Sequence, residues 1–159
     1  SVYTLADAVN ESCGELDIRG VSHRGYFAAM TDLQSYFDAN VELIDRKKAK
    51  ELFHEDWTIY TRTNDSCPTQ YFEGSNVKSS VVSNGCLIEG TVENSVIGRG
   101  CQIKKGAVVR NCVVNADAVI GKDVHVENMV IDKHAKLIHS NQIIAEPEKP
   151  GYIRRGDKL

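Results

Sequence analysis

No run of about 18 apolar residues occurs in this chain of 159 residues, and no secretory leader is visible at its start. Those absences remove the usual signals for a membrane-spanning helix and for export. A basic patch is also missing. The net charge is −3 with both signs interspersed, so neither nucleic acid nor an anionic membrane finds an electrostatic footprint. The five cysteines, Cys13, Cys67, Cys86, Cys101 and Cys112, are an odd number without CxxC spacing, which argues against a disulfide scaffold and a zinc ribbon. They point to a reduced, cytoplasmic setting in which a free thiol acts as a small hydrophobe. There is no Walker-type or Gly-rich phosphate loop. Gly98-Arg99-Gly100 reads as a turn and not as a cradle opening a helix, and Ser, Cys and His residues are scattered without a nucleophile motif. A chain this long can bury one core, or two small ones sharing a boundary.

What the chain does have is an internal repeat over residues 77 to 139. Asn94-Ser95-Val96-Ile97, Asn111-Cys112-Val113-Val114 and Asn128-Met129-Val130-Ile131 recur every 17 residues, and a fainter copy, Ser80-Val81-Val82, lies 15 residues before Ser95-Val96-Ile97. Within each period the aliphatic residues Val82, Ile88, Ile97, Ile103, Val109, Val114, Ile120, Val126, Ile131 and Leu137 are mostly five or six positions apart. Four positions after most of them comes a small or branched residue, such as Cys86, Cys101, Ala107, Val113 or Ala135. A spacing of five or six fits neither an amphipathic helix nor a half-buried strand. It fits a flattened coil in which each hexad gives a short strand and a turn, and three hexads close one triangular turn. Backbone groups then pair between turns as parallel ladders. Gly85, Gly90, Gly98, Gly100, Gly106 and Gly121 fall between the strands, where corners can require positive φ. About three and a half turns are expected, enough for a stacked core.

The rest of the chain is less regular. Leu5 to Val9 suits a short helix and Leu16 to Val21 partly alternates as a strand would. Thr31-Asp32-Leu33-Gln34 has the form of a capping box, and Leu33, Tyr36, Phe37, Val41 and Ile44 follow at helical spacing. The spacing predicts a helix of about three or four turns, with Arg46, Lys47, Lys48 and Lys50 near its end, where cations suit the dipole. That cluster reads as a solvated helix end and not as a grip for a sugar phosphate. Trp57 to Thr61 reads as a strand-like piece in a connector whose aromatics plug the open end of the coil. After Leu137 the hexads stop, and Pro147 and Pro150 precede a polar tail. Its Arg154, Arg155 and Lys158 are read as a frayed terminus in preference to an anion site.

Two chemistries associated with hexapeptide coils can be weighed on the residues. An acyltransferase would use a His as general base, and His125, His134 and His139 are the candidates, but no long inserted loop stands beside them to hold a pantetheine arm. A carbonic-anhydrase-like zinc site needs three imidazoles. His134 and His139 are five apart, yet the place of a third ligand two turns earlier falls near Gly98 and Arg99. No catalytic residue and no metal ligand is assigned, and the residues that would bind an effector are not identified.

The order of the pieces carries a resemblance. Gly25-Tyr26-Phe27, then Ser35 to Leu43, then Asp56-Trp57-Thr58-Ile59-Tyr60-Thr61, then Val81 to Ile88 and Asn94-Ser95-Val96-Ile97 resemble the C-terminal part of the ADP-glucose pyrophosphorylase (glucose-1-phosphate adenylyltransferase) family. The resemblance implies a mainly β fold, a left-handed parallel β-helix of hexapeptide repeats preceded by a small α+β remnant of a nucleotidyltransferase domain. The handedness comes only from the resemblance, since right-handed crossovers are the physical default. The implied division is 1–45 for the end of the nucleotidyltransferase domain, 46–76 for a connector, and 77–159 for the β-helix and tail, with the rest of the nucleotidyltransferase domain outside this sequence.

Two departures suggest the subtype. Catalytic members carry a stretch whose Asp helps to hold magnesium. Aligned on Tyr26 and Tyr36, Ala29 stands at that position here, and a methyl group cannot ligate a cation that requires oxygen. Asp32, three residues on, reads as a helix start. In Cys67-Pro68-Thr69-Gln70-Tyr71, Gln70 stands where many relatives have a Lys linked to effector binding. Both losses resemble the non-catalytic GlgD-type subunit of Gram-positive bacteria. That likeness implies a regulatory and oligomerisation region in bacterial glycogen synthesis, assembling as a homo- or hetero-oligomer with a catalytic subunit that keeps the magnesium, and answering to a small-molecule effector. The rival readings are part of a catalytic sugar-phosphate nucleotidyltransferase, and a hexapeptide acyltransferase.

Overall fold

The computed structural model describes residues 4–159. Its main body is a triangular coil of very short strands in three parallel sheets. The first face holds β1 (Gln70–Tyr71), β4 (Leu87–Ile88), β7 (Gln102–Ile103), β10 (Val119–Ile120) and β13 (Lys136–Leu137). The second holds β2 (Asn76–Lys78), β5 (Thr91–Glu93), β8 (Val108–Arg110), β11 (His125–Glu127) and β14 (Gln142–Ile144). The third holds β3 (Val81–Val82), β6 (Val96–Ile97), β9 (Val113–Val114), β12 (Met129–Ile131) and β15 (Gly151–Ile153). Every strand pairs in parallel with the strand one turn away, as in the column Leu87, Gln102, Val119, Lys136. The mainly β, parallel β-helix expectation holds.

The core explains the hexads. Ile88, Ile103, Ile120 and Leu137 stack under the first face, Val92, Val109 and Val126 under the second, and Ile97, Val114 and Ile131 under the third, all buried. Cys86, Cys101, Ala118 and Ala135, one per turn, are small, fully buried residues of the same core. A hydrogen bond with Cys86 and, after it, burial hold the Cys101 thiol above its usual range, and burial pushes Cys112 up to about 12. Both stay uncharged and act as packing.

The 15-residue interval has a local cause. Ile103 and Val108 are joined by a four-residue turn, whereas Ile88 and Thr91 are joined by Glu89 and Gly90 alone. A Cβ on Gly90 would lie 2.4 Å from the Ala107 carbonyl oxygen, so the shortcut needs glycine. Of the six glycines expected at corners, Gly85, Gly100 and Gly106 have positive φ, while Gly90, Gly98 and Gly121 are required by close backbone approach instead. Asparagines take the left-handed conformation at another corner: Asn94, Asn111 and Asn128 have φ of 45°, 46° and 56°. Their amides form a ladder, Asn94 Nδ2 donating to Asn111 Oδ1 at 3.0 Å, Asn111 Nδ2 to Asn128 Oδ1 at 2.6 Å and Asn128 Nδ2 to the Ala145 carbonyl at 2.7 Å.

Several local expectations are corrected. The coil begins at Gln70 and runs past Leu137: β14 and β15 add a fifth strand to two faces. The tail closes on the coil, with Leu159 N donating to the Lys136 carbonyl at 2.9 Å and Lys136 bridging Lys158. The hexad pattern is lost there because the last turn carries an insertion at 145–150, but the backbone ladder continues. Leu16 to Val21 and Trp57 to Thr61 form no strand, since neither has a partner ladder. Trp57 and Tyr60 are 78% and 92% exposed, so they do not plug the coil.

Among the described residues three helices precede the coil: α1 (Leu5–Ser12), α2 (Leu33–Glu42) and α3 (Arg46–Leu52). α1 is where the sequence placed it, and none of its residues is buried. α2 is capped one residue later than expected. Asp32, not Thr31, accepts from Ser35 N at 2.7 Å, and Ser35 Oγ answers the Asp32 N–H. Asp32 wins because its carboxylate is the better acceptor of the orphan amides; those bonds hold its carboxyl below the usual range. The helix ends at Glu42, and Arg46, Lys47, Lys48 and Lys50 lie on α3, which starts afresh under an Asp45 cap. α2 lies on the third face, where Phe37 is buried against Val113 and Val130, which point outward from β9 and β12.

Candidate functional site: a cationic cleft at one corner of the coil

The corner between the third and first faces repeats once per turn through Gly85, Gly100, Asp117 and His134, with φ of 79°, 68°, 61° and 63°. Glycine adopts this left-handed backbone freely, whereas Asp and His hold it at some cost. Each corner hangs from the one before it: Gly100 N donates to Asn84 O at 3.2 Å, Asp117 N to Arg99 O at 2.8 Å, and His134 N to Ala116 O at 3.0 Å. Arg99 and Lys133 precede Gly100 and His134 at the same point of the turn, so the ladder puts both cations on one edge of the coil. The Asp117 carboxylate reaches back over Gly100, where a Cβ would sit 2.5 Å from its Oδ1.

Segments from both sides complete the site. Residues 62–66 run beside the corner, and Arg99 Nη1 meets the Arg62 carbonyl at 3.5 Å. On the other side the turn after β15 brings in Arg155, anchored through Gly156 N donating to Lys133 O at 3.0 Å. Between them is a cleft of about 440 Å³ walled by Arg62, Arg99, Lys133 and Arg155, with Asn64 and Ser66 adding neutral donors. Asp117 is the one carboxylate in its lining, its Oδ2 3.7 Å from His134 Nδ1. Behind the wall, Asp132 accepts from Tyr152 Oη and from Lys133 N, both at 2.7 Å. The Tyr152 bond, that amide and the charges of Lys133 and Arg155 hold the Asp132 carboxyl below the usual range, and the Tyr152 hydroxyl is held above its own.

Four cations and a single carboxylate in one lining make a set of groups suited to an anion. Guanidinium forks suit phosphate or carboxylate oxygens bidentately, and Lys adds a mobile point charge. The sequence reading touched this place without assembling it. Arg155 belongs to the wall and not to a frayed end, and Arg99, noted only as the vacancy of a zinc site, stands with His134 in one cleft. Arg62, Lys133 and Asp117 went unnoticed, although Arg99 and Lys133 fall two repeats apart, a signal that could have been read.

Other candidates fall elsewhere. His125 lies on the second face, its Nε2 3.3 Å from Glu127 Oε2, and His139 follows β13 on an exposed stretch. Among the described residues no group of three or more His, Cys, Asp and Glu side chains could hold a metal ion. The side chain of Ala29 offers no ligand atom for magnesium. Lys48 pairs with Glu42 at 3.1 Å, in keeping with a solvated helix. Gln70 opens β1, exposed and in register with Leu87. A second cavity, about 390 Å³ and mostly apolar, is lined by His23, Tyr26, Leu52, His54, Trp57 and Ile59 among others. No helix of the described residues is long and apolar enough to cross a membrane.

Coil and repeat together define a hexapeptide-repeat β-helix protein. The chain belongs to the family described as GlmU-like, C-terminal hexapeptide, which matches residues 68–151. It is similar to the glycogen biosynthesis protein GlgD of Bacillus subtilis (strain 168), 32% identical over 153 residues, 96% of this chain and 45% of that protein. GlgD of Geobacillus stearothermophilus is 38% identical over 107 residues, 67% of this chain and 31% of the relative. A glucose-1-phosphate adenylyltransferase of Fervidobacterium nodosum is 38% identical over 107 residues, 67% of this chain and 26% of that enzyme. The resemblance read from the residues is thereby borne out. The chain spans less than half the length of these relatives.

Proposed function

We propose that this chain is the regulatory and oligomerisation region of an ADP-glucose pyrophosphorylase subunit of GlgD type, acting in glycogen biosynthesis in the cytoplasm. In this reading residues 1–45 close a nucleotidyltransferase domain, 46–76 connect it to the repeat and supply the coil's first strand, β1, and 77–159 form the repeated turns and the tail. The coil bonds the subunit to a catalytic partner, which retains the magnesium, in a homo- or hetero-oligomer of tetrameric size. The cleft receives a phosphorylated or carboxylated small-molecule effector, and its occupancy favours the partner's active state. The observation that carries the reading is the cluster of Arg62, Arg99, Lys133 and Arg155 around one cleft, in a chain similar to GlgD over 96% of its length. Ala29, whose side chain has no oxygen to offer a cation, supports the non-catalytic role.

The test is reconstitution of the full-length subunit with its catalytic partner. The intact subunit co-purifies with the partner and raises its activity, and Arg99→Ala with Lys133→Ala abolishes the response to anionic effectors without breaking the complex. If deleting residues 77–139 left assembly and activation unchanged, the proposal fails. A catalytic role is favoured by the adenylyltransferase relatives, and magnesium-dependent sugar-nucleotide synthesis by the full-length subunit alone would establish it.

A further inference from the structure

We infer that the hydrogen bond from Tyr36 to Asn115 couples the cleft to α2, so that an anion held at the corner and the helix docked on the third face stabilise each other. This rests on the anion-binding reading of the cleft and adds its regulation.

Asn115 directly precedes Ala116 and Asp117, which both line the cleft. Its backbone is pinned twice: its N–H donates to Ile131 O at 2.8 Å, and its carbonyl accepts from the Cys101 thiol at 3.1 Å. The corner that carries Arg99 leaves it no slack. A Cβ added to Gly98 would lie 2.8 Å from Ala116 N and 3.0 Å from the Asn115 carbonyl carbon, and Asp117 N donates to Arg99 O at 2.8 Å. Groups packed this closely transmit displacement instead of absorbing it. From this corner the Asn115 side chain reaches α2, its Oδ1 accepting from Tyr36 Oη at 3.3 Å.

α2 is otherwise held to the coil by Phe37 against Val113 and Val130, and by Gln34 Nε2 donating to Pro147 O at 3.2 Å. A helix docked through so few side chains opens locally at less than the free energy of global unfolding. An anion that fixes Arg99 fixes residues 115–117 with it, and the Tyr36 bond then loses less entropy on forming. By linkage the help is equal in both directions, and coupling of this kind is worth about fivefold or more. Because α2 precedes the coil, the segment read as the end of a nucleotidyltransferase domain receives the state of the cleft through this helix.

Sulfate is the probe, titrated into the chain at fixed pH and ionic strength. Saturating sulfate is expected to slow hydrogen exchange of the α2 amides about fivefold, while α1, none of whose residues is buried, keeps its rate. Tyr36→Phe keeps the ring and removes the bond. It should bind sulfate about fivefold more weakly, and its α2 exchange should no longer respond to sulfate. Phe37→Ala, which loosens the helix from the third face, should weaken sulfate binding by a similar factor. Sulfate that binds without slowing α2, slows α1 equally, slows α2 in Tyr36→Phe as in the unaltered chain, or binds Phe37→Ala with full affinity would overturn this inference and leave the anion cleft standing. Absence of sulfate binding, or binding indifferent to Arg99→Ala with Lys133→Ala, would overturn both.

Discussion

Single residues in this protein act chiefly through backbone geometry at the corners. Asn111 holds a left-handed φ of 46° and sits in the middle of the amide ladder, accepting from Asn94 and donating to Asn128. Asn111→Ala removes both bonds, leaves part-buried polar groups without partners and strains the backbone. It should cost about 2–3 kcal/mol in a denaturant melt, whereas Asn111→Gly, which relieves the strain, should cost less. Asp132 and Tyr152 yield a pH prediction. The depressed Asp132 carboxyl contributes stability that is present above its unfolded value and is lost as pH falls through the lower folded one. The raised Tyr152 hydroxyl contributes stability present below its unfolded value and lost as pH rises through the higher folded one. Tyr152→Phe should therefore move the Asp132 carboxyl upward in an NMR titration and bring the acid loss to higher pH.

Among the elements, α2 tests how the helical segments relate to the coil. Its one buried aromatic, Phe37, meets Val113 and Val130 on the outside of the third face, while Tyr36 Oη reaches Asn115 Oδ1 at 3.3 Å. Phe37→Ala should cost about 3 kcal/mol and release α2 to proteolysis, with the strand amides of β9 and β12 still protected from hydrogen exchange. Loss of protection throughout the coil would show that helix and coil form one cooperative unit. The helix itself was legible because apolar spacing and a capping residue are local signals. Its exact cap and end were not: Thr31 and Asp32 both satisfy the pattern, and the capping type of Asp45 is a weak sign of a second helix beside helix-favouring residues on either side.

At the scale of the whole molecule, the cleft exists because stacking brings Arg99 and Lys133 to the same edge and lays the connector and the C-terminal turn against it. Removing one of the four cations should weaken dianion binding about tenfold, and the salt dependence of affinity should flatten with each removal; titration of single variants at two ionic strengths checks both. Deleting residues 142–159 should destabilise the coil as well as remove Arg155, since Ile153 belongs to the core and Leu159 closes on Lys136. A lower melting temperature and weaker sulfate binding should appear together.

By itself the sequence determined the coil, its 17-residue turn and the inward aliphatic columns, because each turn is built from contacts between neighbours in a repeating pattern. The 15-residue interval was equally visible, though its cause, a carbonyl approaching Gly90, was not. Only the tertiary structure decided that the irregular tail continues the ladder after the hexads end, since backbone pairing needs no particular side chain. It also decided that Arg62, Arg99, Lys133, His134 and Arg155 share one space. Their separation along the chain is set by the number of turns between them, and no local signal says which edge a connector will cross.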